Sequence, residues 1–367
     1  MRSWLSSFRY FDLILFGSSI LLLLLGLLMI YSTSLDSGPS MFYKQLLVGI
    51  GGVIGLFALA FFDYRNLRKN TGLLYVLTVL ALLFVWLFGQ NIRGSARWID
   101  LYVIRLQPAE LAKLMMVIIM AKFLDTHGEK LKSFRYVFLS AVYVFIPVGL
   151  VLIEPDLGSA LVILATWFAM LMFSKMSKKQ LMMMIAGFAI LAVLAWFFGL
   201  RDYQKERVYT FLNPNSDPRG SGYNVLQSMI AVGSGGMWGR GVGRGLQSQL
   251  KFLPERQTDF IFASTAEELG LLGSVIILGL FYIMLMRIVR ACRASRDNFG
   301  MYLALGVFFM LFFQAVINIG MNIGVLPVTG IPLPLLSNGG SSLLTTLLSL
   351  GLVQSVVARQ KALKFGD

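Results

Sequence analysis

Charged residues stand within or beside apolar stretches at two places in the sequence. Glu110 and Lys113 lie three residues apart in an apolar run, and Asp259 has phenylalanines at 260 and 262. Apolar surroundings remove water from a carboxylate, which raises its pKa and makes it a better base. Asp259 is therefore a candidate general base, and Glu110 with Lys113 is a candidate part of the same polar site.

Each place also has a structural interpretation. Pro108 suits the first turn of a helix, where its missing N–H is not needed. Glu110 and Lys113 would then form an ion pair facing the bundle interior, because a charge in a membrane helix costs at least about 2.5 kcal/mol. Thr258 or Asp259 could instead cap the helix that follows. The residues alone leave both interpretations open at both places.

A glycine-rich run at 233–245 contains Arg240 and Arg244. It matches neither GxxxxGK[ST] nor GxGxxG, and no strand precedes it, so we predict no nucleotide cofactor. A flexible loop is the favoured interpretation, and a phosphate held by backbone N–H groups beside Arg240 is the alternative. The single His127 and the single Cys292 leave no HExxH zinc site, no common His-based triad and no internal disulfide.

Uncharged polar residues gather near the C-terminal end of the chain. Asn318 and Asn322 lie one helical turn apart, which favours hydrogen bonding between packed helices. The segment 326–338 contains three prolines and ends in Ser337 and Asn338. It is predicted to form a rigid turn that lines the same cavity as the acidic residues.

The composition indicates which elements must position these residues. Of 367 residues, 57% are hydrophobic and 14% are charged, against roughly 45–50% and about 25% in soluble domains. A bilayer accommodates this surplus of apolar surface. Ten apolar runs are long enough to span it, and they cover 11–31, 43–62, 72–89, 107–124, 136–153, 157–174, 181–199, 264–287, 299–325 and 339–358. We therefore predict an all-α polytopic membrane protein with ten transmembrane helices, in which 1–367 form a single domain.

Lysine and arginine in the short loops predict the orientation. With the N terminus in the cytoplasm, 19 of the 32 Lys and Arg residues lie on the cytoplasmic side, as the positive-inside rule expects. Both termini are then cytoplasmic, and the long loop at about 200–263, between the seventh and eighth helices, is extracytoplasmic. Nearly all of the net charge of +14 faces the cytoplasm and its anionic lipid headgroups, so it does not indicate nucleic-acid binding.

Acidic residues follow the opposite bias. On this topology 12 of the 18 Asp and Glu residues lie on or near the outer side, at the ends of several different helices. A convergent polar site that opens outward is the simplest functional interpretation. Solvated loop charges are the alternative for those acids that lie in loops.

Several segments of the chain resemble the SEDS family of membrane proteins (shape, elongation, division and sporulation). The matching segments are 93–98, 107–110, 154–158, 217–223, 227–236, 253–262 and 332–341. The chain departs from the family pattern at Gln257, where the family usually has His, and at Asn338, where it usually has Tyr. Neither departure removes a candidate catalytic acid.

The resemblance implies a GT-C-like peptidoglycan glycosyltransferase. Such an enzyme polymerises lipid II at the outer face of the cytoplasmic (inner) membrane, here during cell-wall elongation and rod-shape maintenance. The residues implied at the site are Asp259 as the catalytic acid, and Glu110, Lys113, Arg97, Trp98, Asp156, Arg207, Arg240, Glu255, Thr258 and Ser337 in supporting or substrate-binding roles. The resemblance also implies a class B penicillin-binding protein as partner. A divalent cation, Mg²⁺ or Mn²⁺, is a further expectation for holding the pyrophosphate.

Two other functions stay open. A lipid II flippase or transporter would fit ten helices with intramembrane charge. Against it, the hydropathy shows no inverted repeat, and the polar groups crowd one face rather than the midplane. A non-catalytic scaffold for cell-wall synthases would use the long loop at 200–263 as its docking surface.

Overall fold

Each of the ten predicted apolar runs coincides with a helix. The structure is a computed structural model, and it describes residues 11–35, 38, 40–92, 95–100, 105–214, 217, 220 and 222–362. The long helices are α1 (Leu13–Thr33), α2 (Ser40–Phe61), α4 (Thr71–Phe88), α5 (Pro108–His127), α6 (Phe134–Ile153), α7 (Leu157–Met172), α8 (Lys178–Leu194), α12 (Ile261–Ala294), α13 (Asn298–Asn322) and α14 (Gly340–Ala362).

Eight of these helices are long and apolar enough to cross a membrane by length and composition. Of the other two, α7 is apolar but shorter, and α5 carries four charged residues. The protein is therefore a multi-pass, mainly helical membrane protein. That all ten helices cross the bilayer with both termini in the cytoplasm remains a prediction.

Shorter elements connect the long helices. They are α3 (Arg65–Lys69), β1 (Gln90–Ile92), β2 (Ser95–Asp100), β3 (Arg105–Leu106), a 3₁₀ turn (Gly128–Lys132), a π turn (Ala195–Gly199), α9 (Asp202–Leu212), α10 (Tyr223–Ser234) and α11 (Leu246–Gln249). The described residues of the predicted loop at 200–263 thus form three helices before α12.

The all-α prediction is wrong at 90–106. Here β1 pairs antiparallel with β2, and β2 pairs antiparallel with β3, in the order β1-β2-β3. Isoleucine and tryptophan favour strands, and the segment between α4 and α5 is too short and too polar for another membrane helix. The small sheet leads the chain directly into α5.

The centre of the bundle is built from α5, α13 and α14. Within α14, 89% of the most apolar 18-residue window is buried, against 6% in α8. α14 packs along α2, and α13 packs against α5, α7 and α12. The central helices therefore carry the buried polar residues, while α8 presents its apolar surface outward.

Asp12 fastens three helices together at one end of the bundle. Its carboxylate accepts hydrogen bonds from the first backbone N–H groups of α1, at Ile14 and Leu15. The same carboxylate forms an ion pair with Arg287 of α12, with 2.6 Å between Arg287 Nη2 and Asp12 Oδ2. Its backbone exchanges two hydrogen bonds with the side chain of Gln354 in α14.

The glycine-rich run at 233–245 is folded tightly onto α12, which corrects the expectation of a flexible loop. Its backbone N–H groups donate to the α12 acids, as in the 3.1 Å bond from Gly243 N to Glu268 Oε2. Glu267 likewise accepts from the backbone N–H groups of Gln247 and Ser248. Two buried carboxylates thereby replace the phosphate that the sequence offered as the alternative ligand of this run.

Candidate active site

Asp259 lies in a turn immediately before α12, and two asparagines of α13 hold that turn. The backbone oxygen of Asp259 accepts hydrogen bonds from Asn318 Nδ2 at 2.9 Å and from Asn322 Nδ2 at 3.0 Å. Asn322 Oδ1 also accepts from the backbone N–H of Ala263, in the first turn of α12. Both asparagines are fully buried, so α13 fixes the position from which the Asp259 side chain projects.

The helix-capping interpretation of this turn is wrong. The residue that caps α12 is Phe260, and no side chain caps the helix by a hydrogen bond. The Thr258 hydroxyl instead turns back to Glu255, donating to its backbone oxygen and to its carboxylate, each at 3.2 Å. Asp259 is half-buried, and its carboxylate does not cap the helix.

The segment 326–338 forms a wall beside the Asp259 carboxylate. A Cβ atom added at Gly330 would lie 3.5 Å from Asp259 Oδ2, and Gly330 has φ +75°. Asn318 Nδ2 also donates to the backbone oxygen of Ile331 at 2.7 Å. One asparagine therefore holds the Asp259 turn and this wall together.

Ser337 makes a second connection between the wall and the turn. Its hydroxyl donates to Thr258 O at 2.6 Å and accepts from Leu333 N at 2.8 Å. Gln257 and Asn338 meet here, because Asn338 N donates to Gln257 O at 2.7 Å. The Ser337 hydroxyl thus links the wall segment to the Asp259 turn.

A second polar group forms where α7 begins. Asp156 caps α7 by accepting from Ser159 N at 3.0 Å, and its other oxygen accepts from Gln107 Nε2 at 2.7 Å. Arg97, on β2, donates to the backbone oxygens of Glu154 and Pro155. The small sheet, α5 and α7 thus meet at one place.

Glu154 has a raised pKa in this second group. Burial is the main cause, the negative charge of Asp156 adds to it, and nearby Arg97 opposes it, which together place the pKa of Glu154 at about 8. Among the described residues, neither carboxylate oxygen of Glu154 has a hydrogen-bond partner. Glu154 is therefore a buried carboxyl that holds its proton near neutral pH.

The wall segment connects the two polar groups. Gly158, in the first turn of α7, packs so closely that an added Cβ would lie 2.7 Å from Ile331 and 3.0 Å from Thr329 O. At the start of α14, the Ser341 hydroxyl accepts from Gln107 N at 2.8 Å. Asp259 and Asp156 thus belong to one assembly at one end of the bundle.

Glu110 and Lys113 form the predicted ion pair inside the bundle. Lys113 Nζ lies 2.7 Å from Glu110 Oε1, and the two side chains are 1% and 4% exposed, Lys113 first. Glu110 Oε2 has no partner among the described residues. Lys113 also borders a narrow crevice with Thr166 and Trp167. The pair lies in the first turns of α5, just beyond Gln107, but it is closed off from solvent.

The remaining candidate residues, which lie on different elements, are Arg207, Trp98 and Arg240. Arg207, on α9, is exposed and donates to Val328 O at 3.1 Å, which puts its guanidinium two residues along the wall from Gly330. Trp98 is half-buried on β2. Arg240 donates to Ser234 and, within the described part of the chain, makes no hydrogen bond to the Asp259 turn.

No preformed metal cluster occurs among the residues that the structure describes. None of their His, Cys, Asp and Glu side chains gather in groups of three or more that could hold an ion.

The residues that hold the site were only partly visible in the sequence. The one-turn spacing of Asn318 and Asn322 correctly indicated hydrogen bonding, but not that both amides bind the Asp259 backbone. Gly330 carried no sequence signal beyond its place in a proline-rich turn. Buried amides in an otherwise apolar membrane helix are the one signal that could have indicated that α13 holds a loop in place.

Fold and site together define a multi-pass membrane protein with a polar site at one end of its helical bundle. Comparison with known proteins makes this specific. The chain belongs to the family of cell cycle proteins named for FtsW, RodA and SpoVE, whose family model matches residues 12–362.

Individual relatives match over nearly their whole length. The chain is 37% identical to peptidoglycan glycosyltransferase MrdB of Escherichia coli K12, over 96% of each chain. It is 39% identical to stage V sporulation protein E of Bacillus subtilis 168, over 94% of this chain and 96% of the relative. A chain in a solved peptidoglycan synthase complex matches with a TM-score of 0.82 and 35% identity, over 97% of this chain and 99% of that one.

Proposed function

We propose that the protein is a peptidoglycan glycosyltransferase that polymerises lipid II at the outer face of the cytoplasmic membrane, in cell-wall elongation and rod-shape maintenance. The supporting observation is a half-buried Asp259 carboxylate beside Gly330, on a turn that Asn318 and Asn322 hold in place. Its relatives include proteins named for this activity. A site at the end of a membrane bundle also suits a substrate whose polyprenyl tail stays in the bilayer.

The chemistry requires one base. The acceptor 4-hydroxyl oxygen attacks the anomeric carbon of the donor, the bond from that carbon to the pyrophosphate oxygen breaks, and the configuration inverts. Asp259 takes the hydroxyl proton as the new bond forms. Undecaprenyl pyrophosphate leaves as a stable anion and needs no proton, whereas an inverting glycosidase needs an acid as well as a base.

Cationic side chains are proposed to neutralise the pyrophosphate. The geometry favours Arg207, because it is exposed and lies along the wall beside Asp259. Arg97 and Lys113 are already engaged with backbone oxygens and with Glu110, so we assign them positioning roles. Arg240 is the least favoured because it is bound to Ser234.

A divalent cation, Mg²⁺ or Mn²⁺, is proposed to arrive with the pyrophosphate, since the described residues offer no preformed cage. It would supply further charge neutralisation. EDTA is then expected to slow polymerisation. An unchanged rate would mean that the arginines alone neutralise the pyrophosphate charge.

A class B penicillin-binding protein is the proposed partner. The similarity to a chain from a peptidoglycan synthase complex, in work on the coordination of polymerization and crosslinking, supports this proposal. The proposed division of labour is that this chain makes glycan strands and its partner cross-links them.

Purified protein in proteoliposomes with fluorescent lipid II tests the function and its alternatives together. Glycan strands measured by gel electrophoresis, with and without the partner, would support the polymerase. Movement of lipid II across the bilayer without strand formation would instead support a flippase. A scaffold would do neither, even when the partner is present.

A further inference from the structure

A basic cavity lies at the opposite end of the bundle from Asp259. Its volume is about 490 Å³, and five cationic side chains and one carboxylate line it. These residues are Arg65, Arg68, Lys69, Lys122, Arg296 and Asp297. They come from α3, from the end of α5 and from the turn between α12 and α13. Lys122 is about 18 Å along α5 from Glu110, at a rise of 1.5 Å per residue, so this cavity is separate from the proposed active site.

The one carboxylate that lines the cavity already accepts three hydrogen bonds. Asp297 Oδ1 caps α13 by accepting from Gly300 N at 2.6 Å. Asp297 Oδ2 accepts from Tyr64 Oη at 2.7 Å and from Arg65 Nε at 3.1 Å. This carboxylate therefore holds α3 against α13 and is paired with Arg65, so a single negative charge faces five positive ones in the cavity.

Three of the five cationic side chains form no ion pair among the described residues. Arg68 forms an ion pair with Asp125 at 2.8 Å, and Lys122 donates one hydrogen bond, to Arg68 O. Lys69 and Arg296 have no acidic partner among the described residues. Unbalanced cations around a cavity attract a multiply charged anion, and guanidinium groups match phosphate geometry.

An exposed apolar helix follows the cavity directly in the chain. α3 packs against α4, α5 and α13, and α4 enters the apolar part of the bundle directly from α3. The outward side of α4 exposes Leu73, Val76, Leu77 and Leu80. These residues follow helical spacing, so an acyl chain can lie along α4 while its headgroup sits in the cavity.

We propose that this cavity binds the phosphate headgroup of an anionic membrane lipid. On the proposed topology it faces the cytoplasmic leaflet, where basic pockets between transmembrane helices recognise lipids such as cardiolipin. The bound lipid would hold α3 between α5 and α13.

Native mass spectrometry of the full-length protein tests the proposal directly. Cardiolipin, phosphatidylglycerol and phosphatidylcholine are titrated against the wild type and against Lys69→Gln/Arg296→Gln. We expect anionic lipids to bind the wild type preferentially, and the double variant to bind them about 25-fold more weakly, at roughly fivefold per cation removed.

Matched variants separate the cavity from general surface charge. Lys178→Gln/Lys179→Gln removes two exposed cations from the start of α8, on the same proposed face, and should leave lipid binding unchanged. Lys69→Arg/Arg296→Lys keeps both charges and should retain the affinity. Equal weakening by the α8 variant, or equal binding of all three lipids, would overturn the proposal.

Competition with inorganic phosphate distinguishes the two sources of the headgroup chemistry. Millimolar phosphate at constant ionic strength should leave cardiolipin binding intact, because the acyl chains add contacts along α4. Complete displacement by phosphate would instead identify a site for a free phosphate and would contradict a lipid site.

Discussion

At Asp259 the local sequence predicts the carboxylate, while distant residues determine its setting. The amides that hold its backbone are 59 and 63 positions away in the sequence. Asp259 is half-buried beside its aromatic neighbours. These neighbours left helix capping open, and the structure excludes it. For Glu110 and Lys113 the sequence predicts more, because their spacing and the cost of a charge in a membrane helix indicate the ion pair that the structure buries in the bundle.

Glu154 predicts a pH-dependent stability. An ordinary Glu ionises near pH 4.5, whereas Glu154 in the folded protein keeps its proton to about pH 8. Between these values unfolding releases a proton, so the free energy of unfolding falls as the pH rises through this window. Glu154→Gln cannot ionise, and its Tm should therefore depend less on pH than that of the wild type.

Thermal melts in detergent between pH 5 and pH 9 check this expectation. Glu206→Gln, which removes an exposed carboxyl on α9, is the control and should track the wild type. Parallel Tm curves for the wild type and Glu154→Gln would show that Glu154 does not hold its proton in the folded protein.

The ion pair of Glu110 and Lys113 can be tested for a role beyond stability. Glu110→Gln leaves the Lys113 charge buried without compensation, which typically costs about 3–5 kcal/mol, whereas removing both charges is often tolerated. We expect Glu110→Met/Lys113→Met to recover Tm but not polymerisation. Recovery of both Tm and polymerisation would show that the ion pair has only a structural role.

At the scale of elements, α13 and the wall segment form one clamp around the Asp259 turn. The sequence predicts α13 and the proline-rich turn separately, because apolar length and prolines are local signals. It does not predict their contact, since that depends on packing across three helices.

Asn318→Ala tests this clamp. It removes hydrogen bonds to Asp259 O, which keeps its bond from Asn322, and to Ile331 O, and a buried group left unsatisfied costs roughly 1–3 kcal/mol. The expected result is a kcat at least about tenfold lower with KM nearly unchanged, measured in lipid II polymerisation. Ser349→Ala, which removes only an intrahelical bond to Thr345, is the control. A loss of Tm without loss of kcat would assign Asn318 to stability alone.

The glycine run offers a second test at this scale. At Gly235 an added Cβ would lie 1.9 Å from Ala266 O, whereas at Gly233 it would meet nothing within 4 Å. Gly235→Ala should therefore lower the stability by about 1–3 kcal/mol through overpacking. Gly233→Ala, two residues away in α10, should be neutral or slightly stabilising. Similar melting temperatures for the two variants would contradict the packing of this run onto α12.

At the scale of the whole molecule, apolar length predicts where the ten helices lie, because a bilayer requires it. The same signal does not predict how deeply each helix is buried in the bundle. Both α8 and α14 are apolar, yet α8 is peripheral and α14 is central. The sheet at 90–106 and the helices within 200–263 were also missed. Their residues pack outside the long apolar runs, where periodicity is weak.

Polymerisation of lipid II by purified Asp259→Asn tests the central claim most directly. Asparagine keeps the shape of the side chain and the backbone bonds to α13, but it cannot accept the proton. We expect no glycan strands from this variant, with Tm and lipid II binding near those of the wild type. Asp202→Asn, which changes an exposed acid at the start of α9, should polymerise normally. Normal strand formation by Asp259→Asn would contradict the account.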